Sequence, residues 1–418
     1  MRALANISFC ILTAILFQAP VIAQTTLDDE TVLRSIADNV VNQTKYAFEG
    51  VFNGQTYNSG KDIPDTITLK PASNRAAWHY TNGTTNLAML NLGKFLNDTK
   101  YTNNALDFLA FSFDNVSYFE KRYTAKNPKS QSLPFSPLID IKGISDCGII
   151  AASAIEAFQK VDRSDYRKFI EATAKYMMDN QEKLQDKTFA RKDPASMTLW
   201  ADDLYMSIPF LVRMGKFSGE KKYYDEAMRQ VFNFTKYLWD PVRELYYQSW
   251  FSGNKENGVA HWGRSNGLIM MAQAQLLNYL PADFPRRDSL IRNLERQILG
   301  VARYQDAQGL WHQLIDKNDS YPETSCSAMF VYSIARAINE NWIDKRYANI
   351  AFEGWEGLKR NMITPDGHAK AICTDTGIRN DLVYYYNRPA LMDDTHGMGP
   401  LIDAGIEIIK LKRKLSGK

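Results

Sequence analysis

Apolar and polar positions alternate with a helical period along almost the whole of this 418-residue chain. In Ser164–Leu184, Tyr166, Phe169, Ile170, Thr173 and Met177 recur on one side of a helix behind a Ser-Asp start. In Glu220–Trp239, Tyr224, Ala227, Met228, Val231 and Leu238 make a second stripe. Both are wide enough to face a core. The apolar runs Ile149–Phe158 and Ala328–Ile334 predict further helices, and strand signals are sparse.

A weak repeat links the helix starts. Lys100-Tyr101, Asp165-Tyr166, Lys222-Tyr223 and Arg346-Tyr347 each place a polar residue before a tyrosine, with an apolar residue four positions on. The first two intervals are close to sixty residues and the third is close to two such units, which suits a helical hairpin plus loops. About six hairpins fit the chain, predicting an all-α (α/α)6 barrel in which inner and outer helices alternate. No Pro/Gly/Ser-rich linker interrupts it, so residues 24–418 read as a single domain. Loops at one end of such a ring gather into a cleft. The irregular stretches Lys142–Gly148, Gln248–Gly267, Asp306–Ser327 and Asp393–Gly399 are the candidates for its rim.

Composition narrows the function. Fifty basic residues against 47 acidic give a net charge of +3, and no basic run stands out, which argues against a nucleic-acid partner. Eight Trp, 22 Tyr and 21 Phe supply core packing and suit stacking on sugar rings. Residues 1–23 read as a signal peptide: Arg2, the apolar run ISFCILTAILF, and small residues before cleavage after Ala23. The mature protein is then exported, periplasmic or secreted, with no membrane anchor. Cys147, Cys326 and Cys373 remain, an odd number that makes no disulfide framework, although one pair can form. Their spacing, and that of the histidines, fits no zinc site.

Three segments carry candidate chemistry. Trp200–Phe210, WADDLYMSIPF, sets adjacent acids in an apolar and aromatic run. Read as a helix, it puts Asp202, Tyr205, Met206 and Pro209 on one face, with Trp200, Asp203 and Leu204 on the other. A carboxyl desolvated among Tyr, Trp and Met keeps its proton near neutrality, as a general acid must. Helical geometry alone does not choose between the two acids, and the plainer alternative is that one caps a helix while the other is solvated. In Gly143-Ile144-Ser145-Asp146-Cys147-Gly148, Asp146 is placed either to cap a helix or to serve as a second cleft carboxylate. In His261-Trp262-Gly263-Arg264-Ser265-Asn266-Gly267, Arg264 has the fork to clamp a carboxylate and Trp262 a flat stacking face, while a buried Arg–Asp pair is the structural alternative. Asp316, Asp319 and Glu323 do not have the spacing of a calcium loop, and Glu323 with Thr324 and Ser325 suits a helix start.

WADDLYM, HWGRSNG and LWHQLIDKNDSYPETSCSAMFVY, in that order, resemble glycoside hydrolase family 105, the unsaturated rhamnogalacturonyl hydrolases, and the related unsaturated glucuronyl hydrolases of family 88. The likeness covers most of residues 75–405. It implies an (α/α)6 barrel that removes a 4,5-unsaturated uronic acid from the non-reducing end of oligosaccharides left by polysaccharide lyases, without metal or organic cofactor. By resemblance Asp202 is the catalytic acid and Asp146 the second cleft carboxylate. Trp262 and Arg264 contact sugar and carboxylate, Trp200 and Met206 line the pocket, and Lys192 is a further candidate for the carboxylate. Tyr80, His261 and Gln248 complete the expected substrate contacts. Two positions depart from the family pattern: Gln248 stands where a His is common, and Leu268 where an aromatic is common. Two other readings fit the same residues: an inverting glycosidase with Asp146 and Asp202 as its carboxylate pair, and a non-catalytic oligosaccharide-binding ring.

Overall fold

The computed structural model describes residues 28–64, 67–124 and 133–417. The expected signal peptide lies outside the described residues. Twelve helices of twelve residues or more follow in chain order: α1 Asp29–Gln43, α2 Tyr80–Leu96, α3 Thr99–Glu120, α4 Ile144–Phe158, α5 Ser164–Lys175, α6 Asp203–Ser218, α7 Lys221–Leu238, α8 Gly263–Tyr279, α9 Arg287–Ala302, α10 Thr324–Asn339, α11 Ala348–Asn361 and α12 Thr395–Leu415.

The six even-numbered helices form a closed inner ring, each packed on the next, with α12 returning to α2. They are buried nearly all round, as α8 illustrates: every residue from Gly263 to Leu277 is buried. The odd-numbered helices lie outside. Each packs on the inner helix before it in the chain, and α1 covers α12. Their stripes face inward, and the largest buried rings, among them Tyr101, Tyr166, Trp311 and Trp355, fill the space between layers. This is the (α/α)6 barrel.

The weak repeat marks the outer layer. Tyr101, Tyr166, Tyr223 and Tyr347 stand at the starts of α3, α5, α7 and α11, and the double interval passes over α9, whose start is Arg287-Asp288-Ser289-Leu290. Ring closure joins distant chain segments: Asp29 of α1 accepts from Trp355 Nε1 at 2.8 Å, Lys359 at 2.8 Å and Lys412 at 2.7 Å. Neighbouring inner helices come together where a side chain is missing. A Cβ on Gly148 of α4 would stand 1.8 Å from the Met206 carbonyl oxygen of α6.

Three local expectations change. The Ser164–Leu184 stripe is helical only to Lys175, after which a wider turn over Tyr176–Asn180 ends on Gln181 N–H donating to Tyr176 O. The helix expected at Ile149 begins at Ile144, so Asp146 lies inside its first turn and Gly143 is the cap. Trp200 is not helical: it ends the strand Thr198–Trp200, which pairs antiparallel with Ser249–Phe251, and α6 starts at Asp203. No strand among the described residues exceeds three residues. Cys147, Cys326 and Cys373 are free and buried. Among the described residues no helix is long and apolar enough to cross a membrane.

Candidate active site

All six inner helices start at the same end of the ring. Tyr80, Asp146, Asp202 and Trp262 each stand within three residues of such a start, and all four line one cleft of about 290 Å3. Helix N-termini carry partial positive charge and unpaired N–H groups, so this end of the ring favours anionic ligands. A larger groove of about 510 Å3 runs outside the ring between α3 and α5, where it brings together none of the candidate residues.

Asp202 precedes α6, with Ala201 N–H held by the Gln248 carbonyl at 2.8 Å. Burial dominates the electrostatics of its carboxyl and pushes the pKa up to about 6. Ser265, in the first turn of α8, donates to Asp202 Oδ1 at 2.6 Å and pulls the other way, as do the charges of Arg191 and Arg264. The other oxygen, Oδ2, accepts no hydrogen bond among the described residues. A carboxyl held in this way keeps its proton to near neutrality and has an oxygen available to transfer it.

Asp203 does something different. It is wholly buried and faces the guanidinium of Arg191, whose Nε lies 3.0 and 2.9 Å from its two oxygens and whose Nη2 also donates to it. Arg191 in turn lies 4.2 Å over the Trp200 ring and lines the cleft.

Asp146 also lines the cleft. Its Oδ2 accepts the N–H groups of Lys142 at 3.1 Å and Gly143 at 2.9 Å, so it fastens the start of α4 from inside the first turn. Burial raises its pKa against those hydrogen bonds. The capping role and the cleft position therefore coexist in one side chain.

Met206 lines the same wall one turn into α6, and Trp200, Trp262 and Tyr80 supply aromatic surface. Trp262 is almost fully buried, and its Nε1 has no hydrogen-bond partner among the described residues. His79, beside Tyr80, is pushed down to about 4 by burial and is neutral at pH 7.

Four expected contacts fall elsewhere. Lys192 is 75% exposed and pairs with Glu182 at 3.1 Å. Residues 191 and 198 pair as a bridge, and consecutive side chains of extended backbone point to opposite sides, so Arg191 enters the cleft while Lys192 leaves it. The same alternation separates His261 from Trp262. His261 turns away to lie between Asp240, at 3.1 Å, and Asp316, at 3.4 Å, with Tyr247 stacked on it at 4.2 Å. Gln248 is buried off the cleft wall, its side-chain amide unpartnered among the described residues, and it supports the site through backbone bonds to Ala201 and Ala260.

Arg264 is the fourth. Its Nη1 donates to Cys373 O and its Nη2 to Thr374 O at 2.6 Å, so each terminal nitrogen is turned to backbone, and Arg264 does not line the cleft. Glu323 holds the same segment, accepting Cys373 N–H at 2.9 Å while capping α10. Together they fix the loop whose Asp375, Thr376 and Gly377 form one side of the cleft. Asp375 itself, with His396 beside it, is held down at about 2 and is ionised. Leu268 is buried in the core of the ring and offers the cleft no surface.

Sequence reading missed Arg191, Ser265, His79 and the 375–377 loop. Ser265 lay inside the HWGRSNG segment, and Arg191 one position from a named candidate, but only the fold tells which side each faces.

Known proteins share both the chain pattern and the ring. An unsaturated rhamnogalacturonyl hydrolase of Bacillus subtilis, YesR, is 28% identical over 218 residues, 52% of this chain and 61% of the relative. An unsaturated 3S-rhamnoglycuronyl hydrolase of an Alteromonas species is 25% identical over 174 residues, 40% of this chain and 42% of that protein. These matches thus span less than two thirds of either relative. A crystal structure described as a possible member of the GH105 family, from Klebsiella pneumoniae, superposes with a TM-score of 0.74 at 22% identity, covering 97% of this chain and 100% of the other. The family model for Glycosyl Hydrolase Family 88 matches residues 55–412, and the chain belongs to that family.

Proposed function

We propose that the protein removes a 4,5-unsaturated uronic acid from the non-reducing end of lyase-generated oligosaccharides, with Asp202 as proton donor. The observation that supports this most directly is the Asp202 carboxyl at the cleft, held near a pKa of about 6 with one oxygen anchored by Ser265.

Protonated Asp202 gives its proton to C4 of the vinyl ether, and the C4–C5 π electrons form the new C–H bond. Positive charge develops at C5 and on the ring oxygen. Water adds at C5 and returns a proton to the Asp202 carboxylate, which regenerates the acid. The C5 hemiketal then opens to a ketone, leaving a hemiacetal at C1 that expels the neighbouring sugar as an alcohol. One water is consumed and one carboxyl acts first as acid and then as base, so no covalent nucleophile is needed. Asp146 lies on the same cleft to orient sugar hydroxyls or the water. Aromatic faces at Trp200, Trp262 and Tyr80 suit sugar rings.

A rhamnose-linked uronic acid is the substrate class common to the two named relatives, and fragments of rhamnogalacturonan or of ulvan would supply it. The N-terminal segment supports an exported enzyme that meets such fragments outside the cytoplasm.

The test is a panel of lyase-generated oligosaccharides followed by ultraviolet absorbance of the conjugated double bond. Absorbance should fall as product forms, and the saturated uronoside should be inert. Equal hydrolysis of the saturated compound would favour the two-carboxylate inverting mechanism. Binding with no absorbance change would favour a non-catalytic ring.

A further inference from the structure

A guanidinium has five N–H bonds in one plane. In Arg191 the edge formed by Nε and Nη2 is taken by Asp203. The opposite edge, made by Nη1 and the outer N–H of Nη2, is not. Nη1 makes no hydrogen bond among the described residues, while the side chain is 25% exposed on the cleft wall. The Trp200 ring, 4.2 Å from the guanidinium carbon, and the buried Asp203 together fix the plane of the group. A preorganised end-on fork is thus presented to the cleft at a reduced ordering cost.

The charge of the cleft calls for such a group. The ionised Asp375 lines it beside Asp146 and Asp202, and a bound carboxylate brings a further negative charge. The other cations nearby are placed differently. Arg264 lies off the cleft wall with each terminal nitrogen donating to the Cys373 or Thr374 carbonyl, Lys192 points to solvent on Glu182, and His79 is neutral. Among the described residues lining the cleft, Arg191 is the cation with an open edge.

We propose that Arg191 binds the carboxylate of the substrate's uronic acid through this end-on fork, and that Asp203 is the residue that aims it. The assignment rests on the hydrolase reading and refines it: the carboxylate is a binding handle beside the reacting C4–C5 bond, and its anchor is neither Arg264 nor Lys192.

The experiment compares an unsaturated uronyl disaccharide with its methyl ester, which keeps the double bond and loses the charge. For the wild-type enzyme, KM for the ester should exceed that for the acid by about tenfold to hundredfold, the range for losing hydrogen bonds to a charged group. Arg191→Lys keeps a cation for Asp203 but has no fork, and should shrink the acid-over-ester preference to a few-fold through KM. The paired variant Arg191→Met with Asp203→Asn removes the buried charge together with its partner and should abolish the preference. Lys192→Ala should retain it. Far-ultraviolet circular dichroism and melting curves establish that each variant is folded. A folded Arg191→Lys enzyme with the wild-type preference overturns the anchor, as does a wild type that turns over acid and ester with the same KM. A wild type that turns over neither overturns the hydrolase reading, and this assignment falls with it.

Discussion

The hydrogen bond from Ser265 to Asp202 Oδ1, 2.6 Å long, joins the start of α8 to the residue that precedes α6. It fixes one carboxyl oxygen and stabilises the ionised form, so it works against the burial that keeps the proton on. Ser265→Ala should therefore raise the Asp202 pKa from about 6 by about one unit, since a hydrogen bond to a charged group has that magnitude. The alkaline limb of the kcat/KM profile should move up by the same amount. A profile that stays in place would dissociate Ser265 from the titrating group.

Asp202→Asn should lower turnover at least about a thousandfold, within the range for losing a general acid, while leaving sugar binding close to wild type. Wild-type activity should decline as pH rises through about 6, because deprotonation removes the donor. The same raised pKa predicts a stability effect. The folded state binds this proton more tightly than the unfolded chain does, so its contribution is present at low pH and is lost as pH rises from about 4 through about 6. At pH 7 the buried carboxylate costs about 3 kcal/mol, and the amide variant should melt above wild type there, with the gap closing toward pH 4.

Gly148→Ala tests the contact between inner helices. The added methyl meets the Met206 carbonyl oxygen, which is backbone and cannot rotate away. A loss of about 3 kcal/mol, at the high end for overpacking, is expected in denaturant unfolding. Activity should fall as well, because α4 carries Asp146 and α6 follows Asp202.

Arg264 and Lys192 should behave oppositely to one another. Arg264→Gln leaves carbonyls of the 373–374 segment short of donors, a cost of about 1–3 kcal/mol. Hydrogen exchange at the Cys373 amide, now bonded to Glu323, should accelerate, and KM should rise as the 375–377 wall loosens. Lys192→Ala removes only an exposed ion pair and should change kcat and KM by less than about twofold.

Helical periodicity carries the fold, because each outer helix must bury one stripe, and a tyrosine start repeats at four of the six outer helices, α1 and α9 being the exceptions. The inner helices are harder to delimit from sequence: buried all round, they have no polar face to set a period, and α4 and α6 start a few residues away from where the pattern puts them. The site was legible as far as residue type and local order reach, which covers the acids and the aromatic rings. What the chain does not display is the side of an extended segment on which a residue falls. Arg191 and Lys192, and His261 and Trp262, differ by a single position, and in extended backbone one position reverses direction. The placement of Arg264 is hidden for another reason: its backbone partners lie more than a hundred residues away and have no signature in sequence.

The closure of the ring through Asp29, Trp355, Lys359 and Lys412 gives assembly a direction in time. Contacts that span more than three hundred residues form late, because the loop they close is most of the chain. During synthesis α2 to α11 can pair as successive hairpins, but α2 and α10 keep an open flank until α12 arrives, and α12 in turn lacks its cover until α1 folds back over it. Asp202 precedes the last helix by most of two hundred residues, yet the loop at residues 375–377 and the start of α12 complete its surroundings only at the end. The complete cleft is thus a property of the closed circle and not of any one hairpin.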